Sequence, residues 1–412
     1  MRIGMFTDYY LPVKTGVSTS VESFREQLEM LGHEVYVFAP SAGIIVRKED
    51  EHIVRFPAIK GLFVENYMTT MFFPPQQIRK IEKLNLDIIH FHDPSQIGLL
   101  GVHIALKNNI PLVSTYHTDF YEYTKSYPAI GAGFMVLSAL APLITGGGFR
   151  DAKLIRPSLD RLAMNREAIK GAMTLIHDYC DVVIAPSKKM ELQLKRWKTA
   201  TPIEILPTGV DKITTNKANI TSRKDQYGIT DDDLVVMFTG RLGKEKNLEL
   251  LIKAFAKARV TMPELKLLLV GDFKHSDELL DLASELGVSE WLIKTGYIEN
   301  HDLGSLLEAA DLFVLPSLTD TQCLVLNEAA HAGLPLIAVD PLINEVVQDG
   351  VNGTVTRPTI AAVSKAIVDI LSDPTKATAM GEASVRLAEK FSERAQASKL
   401  ANLYQEIIKK HV

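Results

Sequence analysis

Two carboxylates eight positions apart, Asp320 and Glu328, bound the run Asp-Thr-Gln-Cys-Leu-Val-Leu-Asn-Glu, which continues Ala-Ala-His-Ala-Gly-Leu-Pro335. The run is apolar and begins a helix just past a strand end, where parallel α/β sheets bind ligands. An ionised carboxylate there is a pure hydrogen-bond acceptor. A purely local role is also open, in which Asp320 or Thr321 caps the helix. Upstream, Gly240-Arg-Leu-Gly-Lys-Glu-Lys-Asn247 follows an apolar strand and opens another helix. Helix N-terminal amides with Arg241 and Lys246 suit a diphosphate. The rival reading, a solvated charged helix start, loses ground because the two acids follow downstream. The spacing is not that of a Walker loop.

Other residues with chemical potential are weaker. His117 ends a strand in Ser-Thr-Tyr-His-Thr-Asp-Phe-Tyr-Glu-Tyr123; a lone histidine is more often structural than catalytic. Gly16, after Pro12-Val-Lys-Thr, opens the first helix and lets backbone approach a ligand, or simply starts that helix. No Gly-x-Gly-x-x-Gly exists, so nicotinamide binding has little support. Asp231-Asp-Asp233 has Asp-x-Asp metal spacing but precedes a strand, where turn chemistry explains it. No required metal or cofactor is expected. Cys180 and Cys323 have neither metal nor redox spacing and suit a reducing compartment.

The elements that must position these residues alternate strand and helix. Arg2–Thr7, Gly16–Leu31 and Glu34–Ala39 read as a βαβ start, with Gly32 ending the helix. Strands are expected at Asp87–Phe91, Pro111–Tyr116 and Asp181–Ala185. A second series starts after Pro202, with strands Ile203–Leu206, Leu234–Thr239, Leu265–Val270, Leu292–Thr295, Leu312–Leu315 and Leu336–Val339. Helices fall between them at Leu248–Val260, Ser276–Leu286, Leu303–Ala310 and Cys323–Ala332, and Ser384–His411 is helical in pattern. With 412 residues, two domains are the default. The fold class is α/β, two Rossmann-like doubly wound halves joined near residues 200–212. The net charge of −5 argues against a nucleic-acid partner. Residues 1–200 hold 23 basic and 20 acidic side chains, and residues 201–412 hold 22 and 30. The first half is therefore the better match for an anionic surface.

The Asp320/Glu328 segment with Gly-Leu-Pro335, the Arg241/Lys246 loop and the His117-Thr string resemble the retaining glycosyltransferases of family 4, of GT-B fold. The His117 string is closest to members that glycosylate lipids, including diacylglycerol glucosyltransferases. The resemblance implies an acceptor-side domain at 1–200, a nucleotide-sugar domain at 201–384 and a cleft between them. A last helix, about 385–412, packs back on the first domain. It implies that Arg241 and Lys246 hold the diphosphate and stabilise the departing charge. Glu328 would take the ribose hydroxyls and Asp320 the donor sugar, with backbone around Cys323 and Leu324 sharing that recognition. Gly16 and His117 would reach the donor on domain closure, His117 contacting the transferred sugar. Asp119 and Tyr121 would meet the acceptor. The implied reaction is metal-independent hexose transfer, with UDP-glucose as donor and diacylglycerol as acceptor, and no dedicated protein base. Three positions depart from the family pattern: Asp320 replaces Glu and is one methylene shorter, Thr15 stands where a second glycine is usual, and Cys323 stands where Gly is frequent.

Residues 127–149 contain no charged side chain. They are long enough to span a bilayer, but hold two prolines and five glycines, and the strand at 181–185 must rejoin the same sheet. Residues 150–198 carry 11 basic and 6 acidic side chains, which favours a cytoplasmic enzyme bound peripherally to anionic lipid over a plain solvated face. The rivals are a transferase with a soluble sugar or polysaccharide acceptor, and a non-catalytic sugar-nucleotide binder. The chain begins without a signal-peptide pattern.

Overall fold

The computed structural model describes residues 1–44, 51–60, 68–119, 161–215, 217–272, 276–343 and 345–411. The chain forms two compact units, residues 1–209 with 393–412, and residues 210–392.

The first unit contains strands β1 (Arg2–Phe6), β2 (Glu34–Pro40), β3 (Ile53–Phe56), β4 (Ala58–Lys60), β5 (Met68–Thr70), β6 (Ile88–Phe91), β7 (Leu112–Thr115), β8 (Val182–Ala185) and β9 (Ile203–Ile205). Seven of them make a parallel sheet in the order β3-β2-β1-β6-β7-β8-β9, while β4 and β5 pair antiparallel apart from it. The central strands are short and buried throughout, as parallel strands covered on both faces must be. Side chains alternate between two cores: on β6, Ile88 faces one, and Ile89 and Phe91 the other. The last helix, Glu393–His411, joins this unit. Its Ala397, Leu400, Ala401, Tyr404 and Ile407 recur at helical spacing and enter the core that holds Ile88.

The second unit contains β10 (Leu234–Thr239), β11 (Leu265–Val270), β12 (Leu292–Gly296), β13 (Leu312–Leu315), β14 (Leu336–Ala338) and β15 (Gly353–Val355), all parallel, in the order β12-β11-β10-β13-β14-β15. Both sheets are doubly wound, as the α/β reading requires. The strand order reverses between β1 and β6 in the first unit and between β10 and β13 in the second. Loops leaving such neighbours diverge and open a crevice at the carboxyl ends of the strands.

Two elements differ from the sequence reading. Ile203–Ile205 pairs with β8 in the first sheet and does not open the second series. After the helix Lys188–Arg196 the chain returns at once, and Val183 N–H donates to Pro202 O while Leu206 N–H donates to Ala185 O. The single stretch read at 384–411 is two helices, Pro374–Ala388 and Glu393–His411, broken where the chain passes from one unit to the other. Among the described residues no helix is long and apolar enough to cross a membrane. The uncharged stretch 127–149 lies outside the described residues.

Candidate active site

In the second unit, the loops after β10 and β13 flank the reversal point. Gly240, just past β10, has φ 137°, and Gly271, just past β11, has φ 135°. A Cβ on Gly271 would stand 1.9 Å from Gly240 O, so only glycine lets these strand ends meet. Residues Lys244–Lys246 form one tight helical turn, ended by Asn247 at φ 56°. Asn247 Nδ2 donates to Pro316 O (3.2 Å) and Thr319 Oγ1 donates to Glu245 O (2.9 Å), so the two loops are cross-tied.

Across this tie Lys246 Nζ donates to Asp320 Oδ1, with both side chains mostly buried. Burial opposes the Lys246 charge, but the groups around it, Asp320 foremost and Glu245 with it, together raise the ammonium pKa. Lys246 is therefore a fixed cation. Arg241 is more exposed and pairs with the partly buried Glu245 at 2.6 Å. These are the two cations expected to meet a diphosphate, one held by each acid.

The helix Leu324–His331 begins from an N-cap at Cys323, with no side-chain cap. The capping role considered for Asp320 or Thr321 is thus corrected. Both residues lie upstream of the cap, and the Asp320 carboxylate turns to Lys246. Leu324 is the first helical residue, so the uncapped amides of this turn are suited to an anion or sugar oxygen. Glu328 lies one turn in, half-buried, and its enclosed Oε2 has no hydrogen-bond partner. Burial pushes its pKa up to about 7. Cys323 sits within electrostatic reach of Asp320, Lys246 and Glu328, which gathers the four residues at one place. Burial, reinforced by Asp320, raises its thiol pKa, so Cys323 is a packed side chain and not a nucleophile. His331, from the same motif, ties Val210 O through Nε2 (2.8 Å) and is structural.

In the first unit, Thr15 caps the first helix: its hydroxyl accepts from Ser18 N–H (3.1 Å), and Ser18 Oγ accepts from Thr15 N–H (2.7 Å). That explains threonine where the family often has glycine. A Cβ on Gly16 would meet nothing within 4 Å, so the fold itself does not demand glycine there. At the reversal point, Asp8 Oδ2 accepts from Ile97 N–H (2.9 Å), and Asp93 Oδ2 accepts from Asp8 N–H (3.0 Å) and Thr7 Oγ1 (3.2 Å). Burial raises the pKa of both acids, and the Asp93 charge raises Asp8 further. One proton shared on Asp8 keeps the pair near a single charge.

His117 stands beside two more histidines. His92 Nδ1 lies 3.0 Å from His117 Nε2. The His90 ring lies 4.1 Å from that of His92, with Nδ1 on Tyr404 OH (2.6 Å) and Nε2 on Thr115 Oγ1 (2.7 Å). Burial holds all three well below the usual histidine range, His90 and His117 at about 3, so the cluster is neutral. Asp119 is buried, and its Oδ1 accepts from Gln193 Nε2 (2.8 Å) and Tyr116 OH (3.3 Å), a structural tie. Tyr121 lies outside the described residues. Asp233 closes a turn onto Thr230 N–H (2.7 Å) and pairs with Lys266 (2.9 Å), while Asp231 pairs with Lys224 (2.6 Å). A turn bond and an ion pair thus account for Asp233, and an exposed ion pair for Asp231.

With this geometry in hand, the similarities of the chain are informative. Residues 14–212 match the family Glycosyltransferase Family 4, and residues 219–386 match Glycosyl transferases group 1. The chain belongs to the GT-B glycosyltransferases. It is 29% identical over 428 aligned positions to the alpha-monoglucosyldiacylglycerol synthase of Acholeplasma laidlawii, covering 100% of this chain and 98% of that protein. It is also 29% identical to the enzyme of the same name from Streptococcus pneumoniae, over 86% of this chain and 74% of that one. The solved structure of Anabaena HepE in complex with UDP-glucose aligns with a TM-score of 0.68 at 19% identity, over 98% and 100% of the two chains, a likeness of fold.

For this glycosyltransferase, sequence reasoning passed over His90, His92 and the Asp8/Asp93 pair. A signal was present in Ile-Ile-His-Phe-His-Asp93: two histidines two apart on a buried strand lie on one face, at its carboxyl end.

Proposed function

We propose that the protein is a retaining, metal-independent glucosyltransferase that moves glucose from UDP-glucose to a membrane lipid, with diacylglycerol as acceptor. The observation that carries the donor half is the enclosed, unpartnered Glu328 carboxylate oxygen beside the Lys246–Asp320 pair, at the point where the strand order of the second sheet reverses. Such an oxygen is an acceptor for the paired hydroxyls of a ribose. Lys246 and Arg241 neutralise the diphosphate and the charge it gains on leaving. Asp320, already aligned by Lys246, and the amides of Cys323 and Leu324 take the sugar hydroxyls. His117, neutral, contributes a hydrogen bond to the sugar from the first unit, and Gly16 offers open backbone beside it.

The acceptor half draws on the full-length similarity to two enzymes named for glucosyldiacylglycerol. UDP-glucose is the first donor to test because a GT-B chain of like fold holds it. In the proposed step the lipid hydroxyl oxygen bonds to the anomeric carbon from the face that the diphosphate leaves. The carbon–oxygen bond to phosphate breaks, and the hydroxyl proton passes to the leaving phosphate oxygen. UDP and an α-glucoside result, with no protein base required. Attachment to the membrane would be peripheral, on the cytoplasmic face. Within the basic segment, Arg196 and Lys198 are exposed, while Lys188 and Lys195 both pair with Glu191.

The test is a UDP-release assay with UDP-glucose and vesicles of diacylglycerol in anionic phospholipid. The expected result is release that requires diacylglycerol, an α-linked product by proton NMR, and no loss of rate with a chelator. Release with soluble sugars alone would redirect the acceptor. UDP-glucose binding without release on any acceptor would sink the enzyme reading. Vesicle binding that ignores salt would remove the electrostatic attachment.

A further inference from the structure

We infer that His92 is a positioning residue for His117: its Nδ1–H donates to His117 Nε2 and holds His117 as the Nδ1–H tautomer, so that the sugar meets a fixed donor. The inference rests on the proposed contact of His117 with the sugar and adds the group that orients it. The two ring nitrogens lie 3.0 Å apart, so one must donate and the other accept. The other nitrogen decides which. His92 Nε2 is fully enclosed and has no hydrogen-bond partner. A proton there would leave a buried N–H orphaned, whereas a bare lone pair is better tolerated. The proton of His92 therefore sits on Nδ1, and His117 Nε2 accepts it. A neutral His117 then carries its own proton on Nδ1.

The His92 ring has little freedom to break this bond. Its backbone N–H donates to Phe6 O (2.9 Å), at the end of the neighbouring strand. One side of its ring faces His90, which is clamped between Tyr404 and Thr115, and its Nδ1 edge meets His117, whose ring lies within 24° of the same plane. The C-terminal helix, through Tyr404, thus reaches His117 by way of two histidines. All three rings are neutral, so the chain transmits orientation and not charge.

The experiment compares His92→Phe, His92→Asn and His117→Ala, singly and combined, with UDP-glucose and diacylglycerol vesicles. Phe keeps the stacked ring without the bond. Asn places an amide near the position of Nδ1 and can restore the bond. We expect His92→Phe to lower kcat roughly tenfold to a hundredfold, a misorientation effect, with KM for UDP-glucose within about twofold. His92→Asn recovers most of the rate. In the His117→Ala background His92→Phe adds nothing, because its only route is through His117. Nitrogen NMR of the histidine rings shows His117 protonated on Nδ1. Wild-type rate in His92→Phe, equal losses in both backgrounds, or His117 protonated on Nε2 would each overturn the inference while leaving the role of His117 standing. Undiminished transfer by His117→Ala would remove the sugar contact itself, and this inference with it.

Discussion

The two units wind their sheets in the same order but place opposite chemistry where that order reverses. After β10 and β13 stand fixed charges, Arg241 with Glu245 and Lys246 with Asp320, and a half-buried acid whose pKa is raised to about 7. At the ends of β1, β6 and β7 the ionisable groups carry less charge, with one proton shared by Asp8 and Asp93 and three neutral histidines. A diphosphate needs the first kind of surface, because its charge is permanent and grows on departure. A neutral sugar and a lipid hydroxyl need the second, where hydrogen bonds orient without competing for the anion. One topology can carry both kinds of surface because the sheet sets only where loops end, and the loops set the charge.

The contrast is most easily broken at Lys246. Lys246→Ala removes the ammonium that Asp320 holds and, in the proposed site, a phosphate partner, at a cost of about 2–5 kcal/mol in UDP binding. Calorimetric titration should therefore show UDP affinity reduced by about thirtyfold or more, while urea unfolding still reports a folded protein. Next in size is the acid pair. Asp8→Ala removes the acceptor for the Ile97 and Gly98 amides (2.9 and 3.4 Å) and should cost about 2–3 kcal/mol of stability. Asp8→Asn, which mimics the protonated acid, should cost little. The sign follows from the raised pKa. The native state binds the Asp8 proton more tightly than the unfolded chain, so wild-type stability falls as pH rises through the raised value. Asp8→Asn should lack that fall in pH-dependent unfolding.

Glu328 sharpens the donor side by a smaller step. Its native pKa of about 7 stands above its ordinary 4.5, and in the proposed site the ribose hydroxyls would donate to the ionised form. Wild-type UDP affinity should rise with pH by up to about tenfold per unit below 7 and level off above it. Glu328→Gln should bind more weakly with a flat profile, and a pH slope retained in that variant would assign the titration elsewhere. Smallest is Tyr404→Phe, which deletes one buried bond to His90. We expect about 1 kcal/mol lost in unfolding and only a slight change in transfer rate, since Thr115 still holds the ring.

Much of this was legible in the order of residues. Strand periods, the glycine turns and the eight-residue spacing of Asp320 and Glu328 are local signals. They located both sheets and the two loops that flank the reversal point of the second. Ile203–Ile205 was not assignable from its own residues, because an edge strand belongs to whichever sheet offers it a partner, and β8 did. The histidine cluster escaped for a similar reason. His90, His92, His117 and Tyr404 are separated by up to 314 positions and meet only across the folded sheet and its last helix.

The sequence alone determined which residues carry charge and which spans could be strands and helices, and its motifs led to the expectation that Arg241, Lys246, Asp320 and Glu328 serve one site. Only the tertiary structure decided their states. It turned Asp320 from a possible helix cap into the partner of Lys246. It raised Glu328 to near neutrality by enclosing it, and it discharged the histidines by burying them together. The physical reason is common to all three: a side chain's type is written in the chain, but its pKa and its partner depend on the solvent it loses and the neighbours it gains on folding.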